Sequence, residues 1–129
     1  MDANKREYRK MTEFFIYSNS FAAPFFSDTD TSFITADTAE AALKRFAEAY
    51  KHPAGLYAAA AYESADAYHN GAKPLAKWLC NHEQEKARLT KDLGSYSYRG
   101  DGPGRFEING EMHTIADPRA GSLVTPEPS

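Results

Sequence analysis

The dipeptide Asn109-Gly110 lies between two short segments of alternating character, 105–108 and 111–115, and constrains the chain more than any other pair in it. A two-residue hairpin turn that follows the twist of its strands needs positive φ at both positions, which Asn and Gly adopt at little cost. Alternation across such a turn puts Phe106, Ile108, His113 and Ile115 on one face. A lone hairpin is barely stable in water, so other elements must cover that face. Part of the fold is therefore antiparallel β-structure.

The remaining segments supply candidates for the rest. Residues 13–17 (EFFIY) are aromatic and β-branched and read as a strand, with Phe14 and Ile16 on one face and Phe15 and Tyr17 on the other. Apolar groups on both faces suit a central strand, or one that gives a face to binding. Phe25-Phe26 and 32–35 are expected as two short strands about a polar turn at 28–31. A helix is expected to start at Asp37, with Glu40 three residues on as in a capping box, and to run to about Lys51. Ala39, Leu43, Phe46, Ala47 and Tyr50 form its apolar stripe. Pro53 disfavours helical geometry at His52 and ends it.

Residues 56–63 (LYAAAAYE) allow two readings. Breakers before them and Ser64 after them favour a buried strand, while alanine's helix propensity suits a single helix over 54–69. As a strand, the small side chains would let a helix pack close to the sheet. Ser64 caps a short helix to His69, closed by Asn70-Gly71. From Pro74 to about Lys91 the composition predicts a second main helix, with Leu75, Trp78, Leu79, His82 and Leu89 near one face. Tyr96 and Tyr98 alternate with polar residues in a further strand, and 100–104 is a glycine-rich turn. The expected fold class is α+β: a small, mainly antiparallel sheet with two main helices packed on one face and a C-terminal β-hairpin.

A chain of 129 residues fits one domain. The expected organisation is a flexible N-terminal arm at 1–11, a single α+β domain at 12–117, and a disordered, small-residue and proline-rich tail at 118–129. Cys80 is the only cysteine, which rules out an intramolecular disulfide. No apolar run approaches the roughly 20 residues of a membrane-spanning helix, and residues 1–10 lack the apolar stretch of a secretory signal. A cytoplasmic location is the expectation. The net charge is −3. Lys5, Arg6, Arg9 and Lys10 against Asp2 and Glu7 make residues 1–10 locally +2, which leaves −5 for the remainder. That arm is either a solvated terminus or a basic binding element, and Met11-Thr12-Glu13 is a second candidate start.

Sites of chemistry are sparse. Cys80 and His82 are two apart, and residues two apart on a helix do not face each other, so they make a poor nucleophile–base pair within one helix. Cys80 reads instead as a small buried hydrophobe. His52, His69, His82 and His113 show no metal-ligand spacing, so no metal and no cofactor is expected. Asp28-Thr29-Asp30 opens like a calcium loop and lacks the later ligands. Gly100 to Gly104 has neither the G-K-[ST] ending nor the following helix of a phosphate loop. His113 shares its hairpin face with Phe106 and would answer to pH if it lay in a cleft.

Aromatic residues are the outstanding feature: 8 Phe, 8 Tyr and 1 Trp, 13% of the chain. Phe15, Tyr17, Tyr96 and Tyr98 fall on expected strands and are the candidate binding residues. The first functional expectation is a non-enzymatic binding or interaction protein using such rings, with a protein partner or a second copy as ligand. In size, acidity, lone cysteine and tail it is similar in type to small accessory proteins of bacteria and their viruses, a likeness that rests on no motif. The alternative is a single-stranded RNA or DNA binder, with the rings stacking bases and Lys5, Arg6, Arg9 and Lys10 on phosphates. The acidic balance weighs against it. A small enzyme built on His113, or on Cys80 with a histidine brought close by the fold, comes last.

Overall fold

A computed structural model describes residues 11–21, 29–93, 96–97 and 104–124. In chain order these form β1 (Thr12–Ser20), β2 (Thr29–Ala36), α1 (Ala39–Ala49), β3 (Leu56–Tyr62), α2 (Ala65–His69), β4 (Ala76–Cys80), α3 (Asn81–Leu93), β5 (Tyr96–Ser97), β6 (Arg105–Ile108), β7 (Glu111–Thr114) and β8 (Gly121–Val124). A five-stranded sheet has the order β2-β1-β3-β4-β8, and a three-stranded sheet the order β5-β6-β7. Every pairing is antiparallel. The expected α+β class is the one found. No helix among the described residues is long and apolar enough to cross a membrane.

The EFFIY segment decides the arrangement. Apolar on both faces, β1 is stable only with cover above and below, and it sits between β2 and β3. Phe14 and Ile16 face α1, which lays Ala39, Ala42, Leu43 and Phe46 over them. From the other strands Ala36, Ala59, Ala61, Ala76, Trp78 and Cys80 complete this core. Ile16 and Leu43 have no exposed surface, and burying each contributes about 1.5–3 kcal/mol. The alanines of β3 keep the sheet surface low where α1 crosses it. Of the two readings open for 56–63, the strand is the one adopted.

The caps of α1 differ by one residue from the expectation. Thr38, not Asp37, is the N-cap: its Oγ1 accepts from the Ala41 N–H at 3.0 Å. Such a cap contributes about 1 kcal/mol. The helix ends at Ala49, and Gly55 beyond Pro53 takes φ +92°, turning the chain into β3. Ser64 caps α2 as expected, accepting from Ala67 N–H at 3.0 Å.

Three expectations are corrected. Residues 76–80, assigned to a long helix from Pro74, form strand β4 between β3 and β8. Ala76, Trp78 and Cys80 point into the core with the two-residue period of a strand. Helix α3 begins only at Asn81. Residues 29–31, assigned to a turn, belong to β2, which runs unbroken over eight residues. Phe25-Phe26 and residue 28 lie outside the described residues. Lastly, the tail expected to be disordered supplies β8, which pairs Trp78 with Leu123 and Cys80 with Gly121. The arm at 1–10 lies outside the described residues.

Gly121 is what lets β8 dock. A Cβ there would meet the Leu79 carbonyl and lie 2.5–2.6 Å from the Trp78 indole. Gly121→Ala is therefore expected to destabilise by about 1–3 kcal/mol, the usual cost of overpacking. Because Trp78 is the only tryptophan, urea titration followed by its fluorescence checks this, with a red-shifted folded emission if β8 is displaced.

The hairpin turns at Asn109 (φ 53°) and Gly110 (φ 85°), with Phe106 opposite His113. Phe106 and Ile108 are buried. His82 of α3, 2% exposed, fills the seam: its ring meets Phe106 edge-on at 5.2 Å, and its Nδ1 accepts the Gly104 N–H at 2.9 Å. Accepting there requires Nδ1 to carry no proton. Burial, and secondarily the nearby Lys86 charge, push the imidazole below its ordinary 6.5. The unfolded chain thus takes up this proton more readily than the folded one. Stability present above pH 6.5 is lost as pH falls through the folded value. Urea midpoints measured across that range should drop on acidification in the native chain, and the slope should flatten in His82→Gln.

Candidate functional site

Opposite α1, the five-stranded sheet is covered with rings. Phe15 and Tyr17 project from β1, Phe33 from β2 and Tyr62 from β3, and Tyr68 and His69 descend from α2. The Ser64 cap and the short length of α2 bring Tyr68 back over β1 a few residues after leaving β3. Its ring lies 5.1 Å from Phe15, 5.2 Å from Tyr17 at a near-parallel 23°, and 5.0 Å from Tyr62 edge-on. Phe33 meets Phe15 edge-on at 5.4 Å. Such pairs contribute about 0.5–1.5 kcal/mol each beyond their buried area and hold the rings in fixed orientations.

Exposure divides the cluster. Phe15, at 5%, is sealed beneath Phe33, Tyr68 and His69 and is a support rather than a contact. Tyr17, Tyr62 and Tyr68 are half-buried, and Phe33 is 54% exposed. Along the same face run Ala58, Ala60 and Lys77, all half-buried. Of the four aromatic candidates, then, Tyr17 stands at this surface and Phe15 lies under it. Tyr96 lies on β5 opposite Ile108, in the other sheet, so it does not share a sheet with Tyr17. Tyr98, Lys5, Arg6, Arg9 and Lys10 lie outside the described residues.

Sequence reasoning missed Phe33, Tyr62 and Tyr68. Phe33 shares its strand face with Thr31 and Thr35, a usable signal for a half-exposed strand. The convergence of Tyr62 and Tyr68 depends on the α2 reversal and had no local mark.

Other candidate groups resolve into structural roles. Cys80 is fully buried and caps α3 with its sulfur, which accepts the Glu83 N–H at 3.4 Å. Burial, the largest influence on it, raises its thiol above the ordinary value. His113 is half-buried and stacks on Phe106 at 5.6 Å. Asp30 folds back to accept the Thr31 N–H at 2.9 Å. No cluster of three potential metal ligands occurs among the described residues. Compared with known protein families, with characterised proteins and with solved structures, the chain matches none.

The phenols report on the packing of the face. Tyr62 is held above the usual tyrosine value by desolvation and then by the neighbouring Tyr68 and Tyr17 phenols. Tyr68 is raised by desolvation, by the Tyr17 phenol and by a hydrogen bond with it. The folded chain thus keeps these protons more tightly than the unfolded one, and the stability they contribute below pH 10.0 is lost as pH rises through the folded values. Ultraviolet difference titration should show phenols ionising later than free tyrosine, and Tyr17→Phe should shift the Tyr68 component back toward the ordinary value.

Proposed function

We propose that the protein is a non-enzymatic binding protein that holds a macromolecular partner, in the first place another protein, against the ring-bearing face of its five-stranded sheet. The observation that carries this is the half-exposed Phe33 with the half-buried Tyr17 and Tyr68, all packed around the buried Phe15. Rings already fixed by their neighbours lose little freedom on binding, and tyrosine offers both an apolar face and a hydroxyl. Aromatic side chains of this kind dominate the energetics of protein interfaces. The proposed setting is cytoplasmic, in keeping with a single, unpaired, buried cysteine.

Single-stranded nucleic acid is the rival ligand, since bases stack on such rings and residues 1–10 carry a local +2. The overall charge of −3 disfavours it.

Chemical cross-linking in an extract of the cells that make the protein, run with the native chain and with Tyr17→Ala, tests the proposal. A partner captured by the native chain should bind the variant at least about tenfold more weakly, as a hot-spot truncation does. Equal capture and equal affinity would remove the face from the interaction. Fluorescence anisotropy with short DNA and RNA strands runs alongside, and binding that weakens steeply with salt would transfer the face to nucleic acid.

A further inference from the structure

Among the described residues β2 is an edge strand, and its outer edge is built to match itself. In antiparallel pairs, residues whose backbone groups face the neighbour alternate with residues whose groups face away. The Phe21 N–H donates to Gly55 C=O, so the odd-numbered positions of β1 face β3. Its even-numbered residues then face β2, through the pairs Phe14–Ile34, Ile16–Ser32 and Ser18–Asp30. Thr31, Phe33 and Thr35 are left with their backbone groups pointing outward. The Thr35 carbonyl agrees, since it accepts from Arg45 Nη1 of α1 at 2.8 Å.

Two of the outward groups are capped within the chain: the Thr31 N–H by Asp30 Oδ1 and the Thr35 C=O by Arg45. Between these caps lie the Thr31 C=O, the Phe33 N–H and C=O, and the Thr35 N–H, which have no partner among the described residues. Turning the strand by a half-rotation about Phe33 sets each of these donors against an acceptor. Phe33 N–H meets the Phe33 C=O of the other strand, and Thr35 N–H meets the other Thr31 C=O. The caps match as well. Asp30 of one strand falls opposite Arg45 beside the other, acid to base, at both ends. Between the two caps β2 itself carries no proline, no lysine and no bulge, three of the usual guards of an exposed edge.

We propose that two copies of the chain pair through antiparallel β2 edges, with the two-fold axis at Phe33, joining two five-stranded sheets into one of ten strands. The exposed Phe33 rings then meet across the seam and extend the row of rings formed by Tyr68, Phe15 and Phe33 in each copy. This pairing uses the backbone edge of β2 and shares only Phe33 with the ring-bearing face proposed above; Tyr17→Ala probes that face without touching the edge, so the two proposals can fail separately.

Light scattering on the full-length chain over a range of concentrations tests it first: the mass should double with concentration. Phe33→Lys, at an exposed position, should weaken the dimer at least tenfold with unchanged circular dichroism. The register is tested by disulfide formation. Directly opposed residues of a hydrogen-bonded pair lie about 5.5 Å apart at Cα, within disulfide reach. An equal mixture of Thr31→Cys and Thr35→Cys should cross-link under mild oxidation, and neither variant alone should. The native Cys80 is fully buried and does not compete. A monomer at every concentration, a dimer that survives Phe33→Lys, or self-cross-linking of Thr31→Cys alone as fast as the mixture would each overturn the proposal.

Discussion

The structure depends on one strand that is apolar on both sides. β1 carries Phe14 and Ile16 toward α1 and Phe15 and Tyr17 away from it, and of the four only Tyr17 keeps a half-buried place at the surface. A strand of this kind cannot sit at an edge or lie on a solvated surface. Its neighbours β2 and β3 satisfy its backbone, α1 closes one side, and α2 returns to close the other over Phe15. The helix-covered core and the ring-bearing face are thus two consequences of the same five residues.

The two sides are filled by different chemistry. Under α1 the sheet offers Ala36, Ala59, Ala61 and Ala76 among larger residues, and the helix approaches with Leu43 and Phe46. On the other side the cover is only the short α2, too small to bury a wide surface, and large rings take up the remaining exposure by leaning on one another. A short helix over a broad sheet leaves partly wet tyrosines, whose hydroxyls tolerate solvent where a leucine would not.

Elements marked by local chemistry were legible in the sequence. The Asn109-Gly110 turn, the apolar stripe of α1 and the Ser64 cap each carry their signal within a few residues. β4 did not, because Leu75, Trp78, Leu79 and His82 mimic a helical stripe while Ala76, Trp78 and Cys80 carry the true two-residue period. β8 was hidden because its small residues resemble a tail, and its place comes from a partner more than 40 residues earlier in the chain. For the site, Tyr17 was readable from its strand. The burial of Phe15 was not, since it depends on Phe33 and on a tyrosine delivered by α2 from far along the chain.

The tie between Asn81 and Ala120 has an evolutionary consequence. The Asn81 N–H donates to Ala120 C=O, and its side-chain amide reaches the Asp117 carbonyl, so the chain leaves the large sheet and re-enters it at one point. The intervening segment, with α3 and the smaller sheet, is topologically a loop grown out of the β4–β8 junction. Descendants of this fold could lengthen, trim or replace that excursion while the five-stranded framework keeps its geometry, making the junction a natural graft point for new modules.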